Sequence, residues 1–147
     1  DYFVDGKPVL LIEPYEAIRK SGHEGRYNWK QVTEMALGFE CTHETMCRHP
    51  AIHHKWLYSE MRRHIERKHE TPFVDFVVKQ KNTFPQGFGE FNTLGAFAFK
   101  EHGHSYHFID REFSGEKNDP PAKVTQLWSY TGARSGHNLE MINKILS

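Results

Sequence analysis

The chain has 147 residues, with 19 basic and 19 acidic side chains and a formal net charge of zero, so no global field draws it to nucleic acid or to an anionic membrane. Aromatic residues make up 14% of the chain, which together with the mixed charges indicates a folded protein rather than a disordered one. No apolar run approaches the roughly 18 residues that cross a bilayer, so a soluble or peripheral protein is expected.

The two cysteines, Cys41 and Cys47, are too few for a disulfide scaffold, and an intracellular reducing compartment is therefore expected. That compartment would be the nucleus for a DNA-binding protein, or the interior of an organelle for a processed subunit. The chain opens at Asp1 rather than at a methionine. We therefore expect a processed product or a piece of a larger protein.

Helix signals dominate before residue 71. Three helices are predicted, over residues 11–21, 29–37 and 54–68. Pro14 fits a first helical turn and Gly22 a helix end, whereas Leu57, Met61 and Ile65 recur at four-residue intervals in the third helix. The apolar side chains expected to share one core are Trp29, Val32, Leu57, Met61 and Ile65.

After residue 71 the apolar period changes toward two, which is typical of strands. Extended segments are predicted over residues 73–79, 91–100, 105–110 and 123–130, with a closing helix from about Asn138. The sequence thus predicts an α+β fold, in which a three-helix, helix–turn–helix-like unit precedes a small antiparallel sheet and a C-terminal helix. The helical module would occupy residues 1–70. The β-rich unit would occupy residues 71–147, either as a second domain or packed with the first.

Three parts of the N-terminal half resemble a known DNA-binding module. They are the opening Gly6-Lys7-Pro8-Val9-Leu10-Leu11 with Tyr15, Ile18 and Gly22, the segment Trp29-Lys30-Gln31-Val32 with Leu37-Gly38-Phe39, and Leu57, Met61 and Ile65 up to His69-Glu70. Over residues 6–70, about half of the chain, this pattern is similar to the AT-rich interaction domain, a family of helical DNA-binding modules.

The resemblance implies a non-enzymatic module that binds double-stranded DNA. The Trp29 helix would brace the fold, and the loop after Phe39 with the start of the third helix would enter a major groove. Polar side chains of that segment would contact base edges or phosphates. They are Thr42, His43, Thr45, Arg48 and Lys55.

Residues 55–69 also carry a local excess of positive charge. The segment has two acidic residues, Glu60 and Glu66, and five basic ones, which are Lys55, Arg62, Arg63, Arg67 and Lys68. On charge alone, a solvated helix face with internal ion pairs is the favoured explanation of this pattern. The zero net charge argues against strong DNA binding, because neutralising phosphates supplies much of that affinity.

Two histidine clusters raise the question of a metal site. Cys41, Cys47, His64 and His69 have the order of zinc-finger ligands, and the two histidines have a finger-like spacing. The two cysteines, however, are too widely spaced for a finger. Packed or exposed thiols and two surface histidines explain the same residues, so no cofactor is expected and zinc is the alternative.

The second cluster is His102-Gly103-His104. In a strand, its two histidines would project from one face, as ligands do in mononuclear metal enzymes. Because the chain has 11 histidines, chance clustering of polar turn residues is the simpler explanation.

No phosphate-binding glycine loop, nucleophile elbow or paired-cysteine redox motif occurs in the sequence. Three classes of function therefore stay open: a DNA-binding module, a structural or interaction subunit that docks on partner proteins of a larger assembly, and a metal-dependent enzyme that uses His102 and His104. Salt-dependent binding to random and AT-rich duplexes would separate the first class from the second.

Overall fold

The computed structural model describes residues 2–22, 24–47, 51–83 and 87–110. Within these ranges the chain forms an α+β fold of five helices and a small four-stranded sheet. In chain order the elements are β1 Phe3–Val4, β2 Lys7–Pro14, α1 Tyr15–Lys20, α2 Glu24–Leu37, β3 His43–Glu44, α3 Lys55–His69, α4 Phe73–Thr83, α5 Glu90–Glu101, a 3₁₀ turn at Gly103–Ser105, and β4 His107–Asp110.

The sheet is organised around β2. It pairs in antiparallel fashion with β1 at its beginning and with β3 at its end, where Glu13 lies opposite Glu44. Between these two pairings it runs parallel to β4, with Val9 opposite His107 and Ile12 opposite Asp110. The longest pairing is thus parallel, and it joins two segments at opposite ends of the described chain.

The prediction of a helix over residues 11–21 is wrong at its start. Residues up to Pro14 belong to the strand β2, and the helix α1 begins only at Tyr15. All of the side chains from Val9 to Ile12 are buried, as in parallel strands that are covered on both faces. Such a strand shows no polar alternation and cannot be told from a buried helix by periodicity. Pro14 then ends the strand and stands as the N-cap of α1.

The other two predicted helices are confirmed. Residues 29–37 lie in α2, which starts earlier, at Glu24, and α3 covers Lys55–His69 against the predicted 54–68. The four-residue spacing in α3 places Leu57, Met61 and Ile65 on one face, and each of these side chains is fully buried.

The prediction that residues 73–79 are extended is wrong, because this segment is the first part of α4. Phe73, Phe76 and Val77 face the core, whereas Val74 and Val78 are 64% and 55% exposed. That pattern follows the helical period and not the alternation of a strand.

Residues 91–100 are also wrongly predicted as a strand, since they form most of α5. Phe91 is exposed although Phe97 is buried, so the alternate aromatics do not share a face. The seven residues from Asn92 to Ala98 are all buried. A helix surrounded by protein lacks the polar stripe that would have revealed its period.

The predicted antiparallel sheet is corrected in the same way. Of the three segments that the structure describes, only 105–110 contains a strand, β4, and that strand pairs in parallel with β2. Residues 123–130 and the closing helix from Asn138 lie outside the described residues.

One hydrophobic core includes side chains from both sides of residue 71, from Leu10 on β2 to Tyr106 before β4. Trp29 is only half-buried, and its indole lies against the backbone of Gly89 at the start of α5. In the described part of the chain, no helix is long and apolar enough to cross a membrane.

Candidate functional site

The segment expected to contact DNA is only partly accessible. Thr42 is exposed, and its hydroxyl lies 2.8 Å from Nδ1 of His43. Lys55 is exposed at the first residue of α3. Arg48 lies outside the described residues. Of the five predicted contact residues, Thr42 and Lys55 are therefore the ones that the structure places at the surface.

The other two predicted residues pack against α5. Thr45 is 5% exposed, and its hydroxyl lies 3.5 Å from the Asn92 carbonyl oxygen. The His43 ring centroid is 4.9 Å from that of Phe99, and burial lowers the pKa of His43. Thr45 therefore has almost no surface to offer a duplex, because its side chain helps to join β3 to α5.

The candidate zinc histidines instead hold two helices together. Nε2 of His64 lies 2.8 Å from the Leu37 carbonyl oxygen, and Nε2 of His69 lies 3.0 Å from that of Ala36. These two carbonyls are at the C-terminal end of α2, where they have no partner within the helix. The spacing that resembles a zinc finger thus places two imidazoles of α3 where they cap α2.

The candidate zinc cysteines are not poised to act as thiolates. Burial raises the pKa of Cys41 to about 12. Burial and the neighbouring Glu44 carboxylate raise the pKa of Cys47 as well. A thiolate is the form that binds metal, and within the described ranges no three His, Cys, Asp or Glu side chains are arranged to hold a metal ion.

We expect chelation by EDTA to leave the thermal midpoint of unfolding unchanged. We also expect His69→Ala to lower the free energy of unfolding by about 1 kcal/mol, because the hydrogen bond to α2 is lost. Urea denaturation measures the effect of His69→Ala, and His104→Ala at an exposed position is the control. One zinc per chain that is lost in Cys41→Ser or His64→Ala would contradict this assignment.

The second histidine cluster does not lie in a strand. His102 follows the end of α5, and His104 lies in the 3₁₀ turn with its ring centroid 6.4 Å from that of His102. Nε2 of His102 is 3.0 Å from Oε2 of Glu60 on α3. His102 therefore contacts a carboxylate on a neighbouring helix, and this contact lines an open groove.

The groove runs between α3 and α5 and has a volume of about 360 Å³. Its walls are mostly polar, and Phe97 lies among them. The lining residues are Glu60, Arg63, His64, Arg67, Phe97, Glu101 and His102. The Arg63 side chain is 64% exposed, and its Nη2 lies 3.9 Å from Oε1 of Glu60. Such an exposed and distant ion pair is weak, so the guanidinium is available to a ligand.

An aromatic ring lies beside the groove. Trp56 is 41% exposed, and its ring stacks on His54 with a centroid distance of 5.3 Å and an interplanar angle of 12°. The edge-to-face contact with His102 has a centroid distance of 4.9 Å. Two imidazoles therefore fix the orientation of an indole that is still open to solvent.

The basic residues of α3 were apparent in the sequence, but the groove was not. Trp56, Glu60, Arg63 and Arg67 follow one another by four, three and four residues, which is the spacing of one helix face. That stripe is the sequence signal that would have indicated a shared surface. His102, which completes the groove, comes from a distant part of the chain.

Comparisons of the chain with protein-family models, with curated proteins and with solved structures find no match.

Proposed function

We propose that this chain is a non-enzymatic DNA-binding module whose main contact surface is the solvent side of α3. The observation that carries the proposal is the exposure of every lysine and arginine of this helix. They are Lys55, Arg62, Arg63, Arg67 and Lys68. A 15-residue helix with five exposed cations and two carboxylates presents local positive charge to phosphates.

Four of these cations share one side of the helix. At 3.6 residues per turn, Lys55, Arg62, Arg63 and Arg67 fall within an arc of about 140°, opposite the buried stripe centred on Met61. They form a band along the helix that can follow a phosphate backbone. We call these four residues the basic face of α3.

The ion pairs on the basic face are loose. Arg62 Nη2 lies 3.8 Å from Glu66 Oε1, and Arg63 Nη2 lies 3.9 Å from Glu60 Oε1, with all four side chains at least one-third exposed. Exposed pairs of this kind contribute roughly 0–1 kcal/mol. Exchanging them for phosphate contacts therefore costs little.

The N-terminus of α3 adds to the same surface. His54 is its N-cap and makes no side-chain capping bond, and the partial positive charge of a helix N-terminus favours an anion nearby. Lys55 stands at this end and belongs both to the basic face and to the contacts that the AT-rich interaction domain resemblance implies. Thr42 remains a further candidate contact.

The zero net charge of the chain limits the affinity for DNA that we expect. Attraction to DNA then comes from the local cations, and affinity should fall steeply with salt, by roughly 0.9 log units per log unit of salt for each phosphate contact. We expect a measurable affinity near 50 mM salt and a weak one at 200 mM.

The test is fluorescence anisotropy with labelled AT-rich and random duplexes over a salt series. Arg63→Gln combined with Arg67→Gln should weaken binding to both duplexes and flatten the salt slope by about two. The matched control is Lys7→Gln combined with Lys20→Gln, which removes the same charge at exposed positions outside α3. It should leave the slope unchanged.

Equal effects of the two double variants would contradict the basic face as the contact surface. Failure of the wild-type chain to bind either duplex near 50 mM salt would reject DNA binding altogether. The hypothesis of a structural or interaction subunit would then replace it.

A further inference from the structure

The basic face continues into the α3–α5 groove. Beside this groove lies an aromatic ring, which a phosphate contact alone would not require. Arg63 and Arg67 line its α3 wall, and Trp56 lies next to its His102 wall. Along the helix axis, Trp56 is offset by about 10.5 Å from Arg63 and by about 16.5 Å from Arg67, at a rise of 1.5 Å per residue. One aromatic ring and two cations therefore lie along the same open groove.

Two acidic residues, Glu60 and Glu101, line the groove, and Glu60, the one beside Arg63, is engaged by the protein itself. The Glu60 carboxylate lies 3.0 Å from His102 Nε2 at one oxygen and 3.9 Å from Arg63 Nη2 at the other. Rearrangement of the exposed Arg63 pair frees that guanidinium, while His102 keeps hold of Glu60. The groove is then able to accept an anion between Arg63 and Arg67, next to an indole that His54 supports from one side.

We propose that this groove binds an unpaired nucleotide, so that single-stranded nucleic acid is a ligand class of this chain in addition to duplex DNA. The base stacks on the open part of Trp56, and the adjoining phosphates pair with Arg63 and Arg67. Stacking on aromatic side chains combined with a cationic track is the usual means of binding single strands without sequence preference. The inference rests on the proposed nucleic-acid-binding function and names a second ligand of the same surface.

In a duplex the bases are paired and stacked inside, so Trp56 has no base to contact. The two ligand classes should therefore respond differently to a change of the indole, although both depend on the arginines. This difference makes the role of Trp56 separable from the role of the basic face.

The experiment uses the full chain with a labelled 12-nucleotide oligothymidine and a labelled blunt hairpin duplex whose loop is a non-nucleotide linker, so that it has no unpaired base, at one low salt concentration. Trp56→Leu should weaken oligothymidine binding about tenfold and leave hairpin binding unchanged, and Trp56→Phe should restore part of the loss. Tyr58→Leu is the matched control, because Tyr58 is a 39% exposed aromatic residue of the same helix. It should change neither affinity.

Equal oligothymidine affinities for wild type and Trp56→Leu would overturn the inference, and so would a parallel loss on the hairpin. If Arg63→Gln with Arg67→Gln still weakened hairpin binding in that case, the proposed function would stand without the unpaired-nucleotide site. If the wild-type chain bound neither ligand, both proposals would fail together.

Discussion

Arg26→Met is expected to lower the free energy of unfolding by about 3–5 kcal/mol, because it leaves a buried carboxylate without its cation. Arg26 lies on α2 between two strands. Its Nη2 is 2.6 Å from Oε2 of Glu44 on β3, and its Nη1 is 2.7 Å from Oε2 of Glu13 on β2. Glu44 is only 2% exposed, so water cannot replace the lost guanidinium.

The pKa of Arg26 reports the same contacts. Burial by itself lowers this pKa, but the hydrogen bonds to Glu44 and then to Glu13 outweigh it and raise the pKa above its ordinary value. The other oxygen of Glu44 accepts from the Met46 amide and from Asn92 Nδ2. This network joins α2, β2, β3 and α5 at the end of the central strand.

Equilibrium unfolding in urea at neutral pH measures the effect of Arg26→Met. Adding Glu44→Gln should recover part of the loss, since the buried charge is then removed together with its partner. Arg63→Met is the control: it breaks an exposed pair and should change the free energy of unfolding by less than about 1 kcal/mol. Similar losses in the Arg26 and Arg63 variants would refute the role given to the network.

The helices that could be predicted from the sequence are those whose water-facing side is polar, whereas α4, with Val74 and Val78 on its exposed side, was predicted as a strand. In α3 the buried residues Leu57, Met61 and Ile65 alternate with exposed cations, so the period of the helix is visible in the sequence. The strand β2 and the helix α5 are surrounded by protein instead. Their sequences carry no polar face, and length and composition alone did not separate helix from strand.

The candidate site was predictable to the same limited degree. The local charge excess of residues 55–69 follows from composition, and the structure places all of its cations at the surface. The position of His102 beside Glu60 depends on how α5 packs on α3, which no local pattern encodes. His64 and His69 show the converse case, because a spacing typical of metal ligands serves to cap α2.

The second large effect is expected from a single added methyl group at Gly95, in the middle of α5. A Cβ there would overlap Oγ1 of Thr45 and lie 2.6 Å from its Cβ. Thr45 is itself buried, so its side chain has no open solvent to move into. Gly95→Ala should therefore lower the free energy of unfolding by about 1–3 kcal/mol, as overpacking of a dense core does.

Substitution of Gly25 by alanine should change the free energy of unfolding in the opposite direction. Gly25 lies in α2 and has nothing within 4 Å of the position of an added Cβ. Alanine is a better helix former than glycine by up to about 1 kcal/mol, so Gly25→Ala should stabilise the chain. Urea unfolding of the two variants compares one chemical change in two environments. Stabilisation by both would show that α5 does not pack closely on Thr45.

A double-mutant cycle identifies the contact responsible. Thr45→Gly removes the side chain that an added methyl group at Gly95 would meet. Thr45→Gly should lower the free energy of unfolding less in the Gly95→Ala background than in the wild-type chain, because in that background it also relieves the overlap. Equal costs in the two backgrounds would mean that the methyl group acts elsewhere. A reduced cost would establish that the close approach of α5 to β3 depends on glycine at position 95.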